Sequence, residues 1–156
     1  TDYQKKARQY TKQKMCQVFL RDGFIDRYSG EKLIFPGLIK IMTIEFPEIF
    51  KYHLNWKMTD THMIYWELFP TIDHLIPLAR GGDDSIENLV TTSMKRNSAK
   101  ANWTLDEIGW PLFEKGNLKK WDGLTTYFLE LVRNNPNYEK DQYIQEWKKS
   151  LIKVLK

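Results

Sequence analysis

Thr71-Ile72-Asp73-His74-Leu75-Ile76-Pro77 leads into Gly81-Gly82, then Glu87-Asn88-Leu89-Val90, then Lys95-Arg96-Asn97-Ser98-Ala99-Lys100, and this stretch decides the fold. Its polar residues sit where a buried core has no use for them. Strand side chains alternate between faces, so adjacent Asp73 and His74 face apart unless the strand ends there and the backbone turns; the pair predicts a strand end. Thirteen residues separate His74 from Asn88 and eight separate Asn88 from Asn97, room for a loop, a return strand and the first turns of a helix. Such a strand, loop, strand, helix unit is expected to bring Asp73 and Asn97 together. One carboxylate and one carboxamide are hard oxygen donors that suit Mg2+ or Mn2+, one cation per site, with water and phosphate oxygens completing the shell. An imidazole beside that cation, His74, is suited to taking a proton from water as the water attacks a phosphorus. Taken singly, each residue has a plainer use: a turn carboxylate, a hydrogen-bonded core histidine, a loop-bracing Asn88, a surface Asn97. The joint spacing carries the inference.

The pattern D-H-x-x-P, G-G, N-L-V, N-x-x-K resembles the HNH endonuclease family over roughly residues 64–103, about a quarter of the chain. The resemblance implies an α+β fold with a ββα-metal core, flanked here by N-terminal and C-terminal helices. It implies Asp73 and Asn97 as metal ligands, His74 as the general base, and Asn88 as the residue that ties the loop to the site. It also implies DNA cleavage leaving a 5′-phosphate and a 3′-hydroxyl. Two departures stand out. Many relatives brace the first hairpin with paired cysteines around zinc, which Cys16, the sole cysteine, cannot do. Phe24, Ile25, Tyr28 and Leu33 are expected to fill that place as an apolar plug. The third motif position is Asn97 rather than histidine, which favours oxygen-loving cations and makes magnesium the first choice.

Around the motif, the basic residues Arg80, Lys95, Arg96 and Lys100 are candidates for holding phosphates on either side of the cut, Lys100 foremost because it shares a helix face with Asn97. His53 and His62 have no cysteine or paired carboxylate at ligand spacing, so core or surface roles suffice for them. Trp56, Trp66, Trp103 and Trp110 suit core packing more than base stacking.

Further out, residues 2–21 are expected to form an amphipathic helix with Tyr3, Ala7, Tyr10, Val18 and Phe19 on its apolar stripe, ended by Asp22-Gly23. Two β-prone runs around Ser29-Gly30 predict a hairpin over 24–34. Leu38 to Glu45 is expected to be helical, and the aromatic run Met63 to Phe69 predicts a strand closed by Pro70. Thr71 to Leu75 and Ile86 to Val90 predict the strand pair, and Ser93 to Ala101 a short helix. Thr104-Leu105-Asp106-Glu107 fits a capping box. Helices over 122–133 and 138–155 are expected either side of Asn134-Asn135-Pro136-Asn137, the last with Tyr143, Trp147, Leu151 and Leu155 on its packed stripe.

The 156 residues, 42% apolar and 28% charged, with six Trp, eight Tyr and eight Phe, exclude disorder and suit one domain over 1–156. A disulfide scaffold is excluded, and one cysteine suits a reducing compartment such as the cytoplasm. No run approaches the roughly 18 apolar residues of a membrane helix, so no membrane role is expected. Net charge is only +4, but residues 1–21 carry Lys5, Lys6, Arg8, Lys12, Lys14 and Arg21 against Asp2 alone. That segment suits a phosphate contact or a solvated basic helix face. The expected activity is phosphodiester hydrolysis in double-stranded DNA, with restriction or defence as the setting and a homodimer where both strands are cut. The rivals are a DNA-binding or partner-docking module that keeps the fold without cutting, and a nuclease acting on RNA.

Overall fold

The structure, a computed structural model, describes residues 10–51 and 61–156. Along the chain come α1 (Lys12–Arg21), α2 (Pro36–Glu45), α3 (Met63–Glu67), β1 (Pro70–His74), β2 (Leu89–Ser93), α4 (Met94–Lys100), α5 (Leu105–Ile108), α6 (Thr125–Asn134) and α7 (Gln142–Leu155). The class is α+β. Among the described residues no helix is long and apolar enough to cross a membrane.

β1 and β2 pair antiparallel, with Asp73 opposite Val90 and His74 opposite Leu89. Pro70 opens β1 instead of closing a strand before it, because a first strand position needs no N–H. The residues before it, expected as a strand, are helical. His62 Nδ1 accepts from the Ile64 N–H and caps α3, while Ile64 and Tyr65 bury against Ile39 and Phe69. Burial of two neighbouring side chains suits a helix face and not an alternating strand. At the other end of the sheet, the Ser93 hydroxyl accepts from the Arg96 N–H, so the last residue of β2 caps α4 directly.

The outer edge of β2 is completed by side chains and backbone from residues 21–27. Thr91 N–H donates to Asp22 Oδ2 at 2.8 Å and Ser93 N–H to Asp26 Oδ2 at 3.2 Å. Thr91 O accepts from the Arg27 N–H at 2.9 Å, and Leu89 O from Arg21 Nη2. Two buried carboxylates and a stretch of backbone thus complete an edge that would otherwise leave its donors unpaired. The hairpin expected over 24–34 shrinks to one bridge, Ile25 with Lys32, because residues 22–27 bend towards β2. Phe24, Tyr28 and Leu33 are buried there, Ile25 only partly, so the apolar plug works together with a polar brace.

The core behind the sheet is aromatic: Phe19, Phe24, Phe35, Phe128 and Trp147 pack with ring centroids 4.8–6.3 Å apart, joined by Ile72 and Leu89 from the strands. In α7 the buried positions are Ile144, Trp147 and Leu151, while Leu155 is exposed; a 3.6-residue turn drifts off a strict four-residue repeat. The Thr104 and Glu107 capping box forms, and Gly109 ends α5 in the left-handed region. Cys16 is buried and its thiol is pushed up to about 12 by burial. Alkylation of the native protein by a thiol reagent near neutral pH is therefore expected to proceed no faster than unfolding; rapid labelling of the folded chain would contradict this burial.

Helix α1 begins later than the hydrophobic pattern suggests. Thr11 accepts from the Lys14 N–H and caps it, which leaves Tyr10 outside the helix. Residues 2–9 of the expected helix, with Tyr3 and Ala7, lie outside the described residues, as do His53 and Trp56.

Candidate active site

Asp73 and His74 are the last two residues of β1 and project from opposite sides of the strand. On one side, Asp73 Oδ2 accepts from the Tyr28 hydroxyl at 2.7 Å and pairs with Lys100 Nζ at 3.0 Å. On the other, His74 Nε2 lies 2.8 Å from Asp84 Oδ1 and 2.7 Å from the Tyr10 hydroxyl. Tyr10 also donates to Asp84 Oδ1 at 2.9 Å.

Lys100 is 0% exposed. Besides Asp73, its ammonium donates to His74 O at 2.9 Å and lies 5.6 Å from the centre of the Tyr28 ring. This corrects the expectation that Lys100 presents a charge to phosphate. The Lys100 side chain turns in to the end of β1, where a buried ammonium finds its partner. Burial foremost, and then the Asp73 charge, push the Tyr28 phenol upwards, so it remains a neutral donor to Asp73.

Asp73 Oδ1 has no hydrogen bond with the described residues, nor has the half-buried Asn97 carboxamide one turn before Lys100 on α4. No bond links Asp73 to Asn97. Both are hard oxygen donors on elements that Lys100 ties together, a donor set suited to an oxygen-preferring divalent cation that keeps most of its water. Among the described residues no group of three or more His, Cys, Asp or Glu could hold a metal. A seat made of one carboxylate and one carboxamide is smaller than such a group.

Asn88 directs its hydrogen bonds to the loop backbone. Its Nδ2 donates to Ile76 O at 3.0 Å and to Asp83 O at 2.8 Å, and its Oδ1 accepts from the Ile76 N–H at 2.9 Å. The loop from Leu75 to Glu87 is thereby held closed across its base, and Asp84 is carried to the imidazole. Gly82 is required for this closure: a Cβ there would lie 1.8 Å from Ile76 O and 3.0 Å from Asn88 Nδ2. Gly82→Ala is expected to displace the Asn88 clamp and cost about 1–3 kcal/mol, the range for forced overpacking. Chemical denaturation measures this; an unchanged midpoint at unchanged slope would mean that the loop yields freely.

Of the other basic candidates, Arg80 pairs with Glu107 at 3.0 Å and Lys95 with Glu67 at 3.5 Å, both at the surface. Arg96 lies over the Trp110 ring, 5.6 Å from its centre. The residues that the motif pattern does not contain are Tyr10 and Asp84. Asp84 sits in a loop whose polar character is legible, but one of two adjacent aspartates faces the ring and the sequence does not say which. Asp83 is committed to Ser85, whose hydroxyl and amide hold its carboxyl below the usual range.

Residues 59–104 match the HNH_4 family model, described as HNH endonuclease. Comparison with curated proteins and with solved structures gives no match.

Proposed function

We propose that this chain, a member of the HNH endonuclease family through residues 59–104, hydrolyses phosphodiester bonds in double-stranded DNA with one Mg2+ or Mn2+ per site. The observation that carries the reading is the pair at the end of β1: a histidine held by side chains on its far nitrogen beside a carboxylate that keeps one oxygen without a hydrogen-bond partner among the described residues. In this reading β1, β2 and α4 form the ββα-metal core, and Asp73 Oδ1 with the Asn97 carboxamide oxygen holds the cation. When bound, the cation supplies charge neutralisation at the scissile phosphate and the departing oxygen. His74 takes a proton from a water whose oxygen forms the new bond to phosphorus as the bond to the 3′ oxygen breaks. That oxygen takes a proton from solvent water, giving a 3′-hydroxyl and a 5′-phosphate, and His74 returns its proton to solvent. Lys100 and Tyr28 hold Asp73 Oδ2, which aims Oδ1 and leaves a single oxygen for the cation. Arg80, Lys95 and Arg96 receive flanking phosphates; the surface ion pairs of the first two are weak enough to exchange for DNA.

The test is cleavage of supercoiled plasmid, single-stranded DNA and RNA by the full chain, with Mg2+, with Mn2+ and with a chelator. Nicking or linearisation that needs the cation is the expected result. Cleavage that persists in the chelator, or no cleavage of any substrate with either cation, would overturn the reading. Cleavage of RNA alone would replace DNA as the substrate.

A further inference from the structure

We propose that Arg96 and Trp110 form one phosphate-binding unit, in which the indole holds the guanidinium by its face and Arg96 presents its N–H edge to a DNA backbone phosphate flanking the scissile one; this rests on the nuclease reading above. Arg96 precedes Asn97 on α4, and its guanidinium carbon stands 5.6 Å from the centre of the Trp110 ring. Among the described residues the Arg96 side chain has no ion pair and no hydrogen bond, whereas Arg80, Lys95 and Lys100 are matched by Glu107, Glu67 and Asp73. A contact over a ring face uses none of the guanidinium's N–H groups, so the fork that fits two phosphate oxygens stays open.

The aromatic wall beneath Arg96 runs outward from the buried end of the site. Arg96 and Lys100 are one turn apart on α4. Lys100 Nζ lies 5.6 Å from the centre of the Tyr28 ring, and the Tyr28 and Trp110 rings pack with centroids 5.9 Å apart. Each cation thus has its own ring of the pair. The inner one is 0% exposed and its charge is matched by Asp73 at 3.0 Å. The outer one is only half-buried, like Trp110, and carries its charge next to the residue assigned to the cation seat. Trp110 is set in place by the turn that ends α5. Gly109 takes φ 68° and its N–H bonds Asp106 O, while the Trp110 N–H donates to Leu105 O at 3.0 Å, the paired bonds of a Schellman motif. The platform is therefore built before DNA arrives, which limits the side-chain freedom that Arg96 loses on binding.

Binding of a fluorescently labelled DNA duplex to the full chain, followed by anisotropy in chelator over a range of KCl, tests this without turnover. Arg96→Gln should raise Kd about tenfold or more, the order for loss of a hydrogen bond to a charged group. It should also reduce the slope of log Kd against log salt by about 1. Arg96→Lys should keep the slope and still bind more weakly than the wild type, because an ammonium carries the charge without the fork. Trp110→Leu, which keeps apolar bulk against Tyr28 and lacks the ring face, should raise Kd about two- to fivefold. In the Arg96→Gln background the same replacement should change nothing further, since Trp110 acts through Arg96. In cleavage with Mg2+, Arg96→Gln should raise KM and leave kcat within about twofold of wild type.

An Arg96→Gln chain with the affinity and salt slope of the wild type would overturn the proposal, as would wild-type affinity in Arg96→Lys. Neither variant alters the core, so the test stands even where Trp110→Leu fails to fold. Additive losses from Arg96→Gln and Trp110→Leu would show an indole that contacts DNA by itself, and the unit would dissolve. A loss in kcat at unchanged KM would place Arg96 at the reacting phosphate and end the flanking role. If the wild type binds the duplex through Arg96 yet cuts nothing with either cation, the nuclease reading falls and the unit stands as a DNA contact. If the wild type cuts and Arg96→Gln binds and cuts equally well, only this inference falls.

Discussion

His74→Ala is expected to lower cation-dependent DNA cleavage by about 10²- to 10⁴-fold, the span associated with a positioned general base, while leaving divalent-cation affinity within about twofold of wild type. The division follows from the geometry at the end of β1. His74 directs its ring to Asp84 and Tyr10, whereas Asp73 directs its carboxylate to Lys100 and Tyr28 and keeps Oδ1 outside that pair. On the proposed roles, truncating the imidazole would remove the proton acceptor and spare the oxygens assigned to the cation. Asp73→Ala should do the reverse at the binding step. It should weaken Mg2+ or Mn2+ affinity by tenfold or more, the order associated with altering groups at a metal seat, and leave Lys100 as a buried ammonium whose remaining partner is His74 O. Titration calorimetry separates the two variants without any turnover. Equal loss of cation affinity in both would show that the ring itself belongs to the metal seat and that the roles assigned here are wrong.

Asp22→Ala is expected to cost about 3–5 kcal/mol, the penalty for removing one partner of a buried ion pair. Asp22 is 0% exposed and ends α1. It accepts from Arg27 Nη1 at 3.0 Å, from Arg21 Nε at 3.0 Å and from the Thr91 N–H at 2.8 Å. Without it, a buried guanidinium loses its counter-charge and a strand donor is left unpaired at once, and both terms act in the same direction. Against a total stability of about 5–15 kcal/mol, such a loss leaves a marginal fold. Equilibrium denaturation measures it. A cost under about 1 kcal/mol, the level of a surface pair, would show that the edge of β2 is held by other means. Arg27→Ala should cost less, since Arg21 remains on Asp22 and only one partner is lost.

These two variants mark where the sequence was legible and where it was not. The order strand, loop, strand, helix could be read because Asp73 and His74 stand side by side, Gly81-Gly82 and Pro77 punctuate the loop, and Ser93 begins a helix at a permitted cap. The capping box at Thr104 was legible for the same reason: its partners lie three residues apart. Met63 to Phe69 misled, because aromatic and branched residues favour strands on average, while a histidine cap and a buried Ile64 and Tyr65 favour one turn of helix here. Lys100 misled in another way. Helical spacing placed it beside Asn97, but not whether that face looks outward to phosphate or inward to Asp73.

By itself, then, the sequence determined the residue types and spacings that give the α+β class, the strand end carrying Asp73-His74, the helix carrying Asn97, and the absence of a cysteine-held zinc. These are legible because each depends on residues close together in the chain, where spacing and backbone preference suffice. Only the tertiary structure decided that Asp22 and Asp26 complete the edge of β2, that Lys100 is buried on Asp73, and that Tyr10 and Asp84 meet on His74. Those contacts join groups 10 to 74 positions apart. Which donor meets which acceptor at such separations is set by how the aromatic core packs the helices against the sheet, and no local pattern records it.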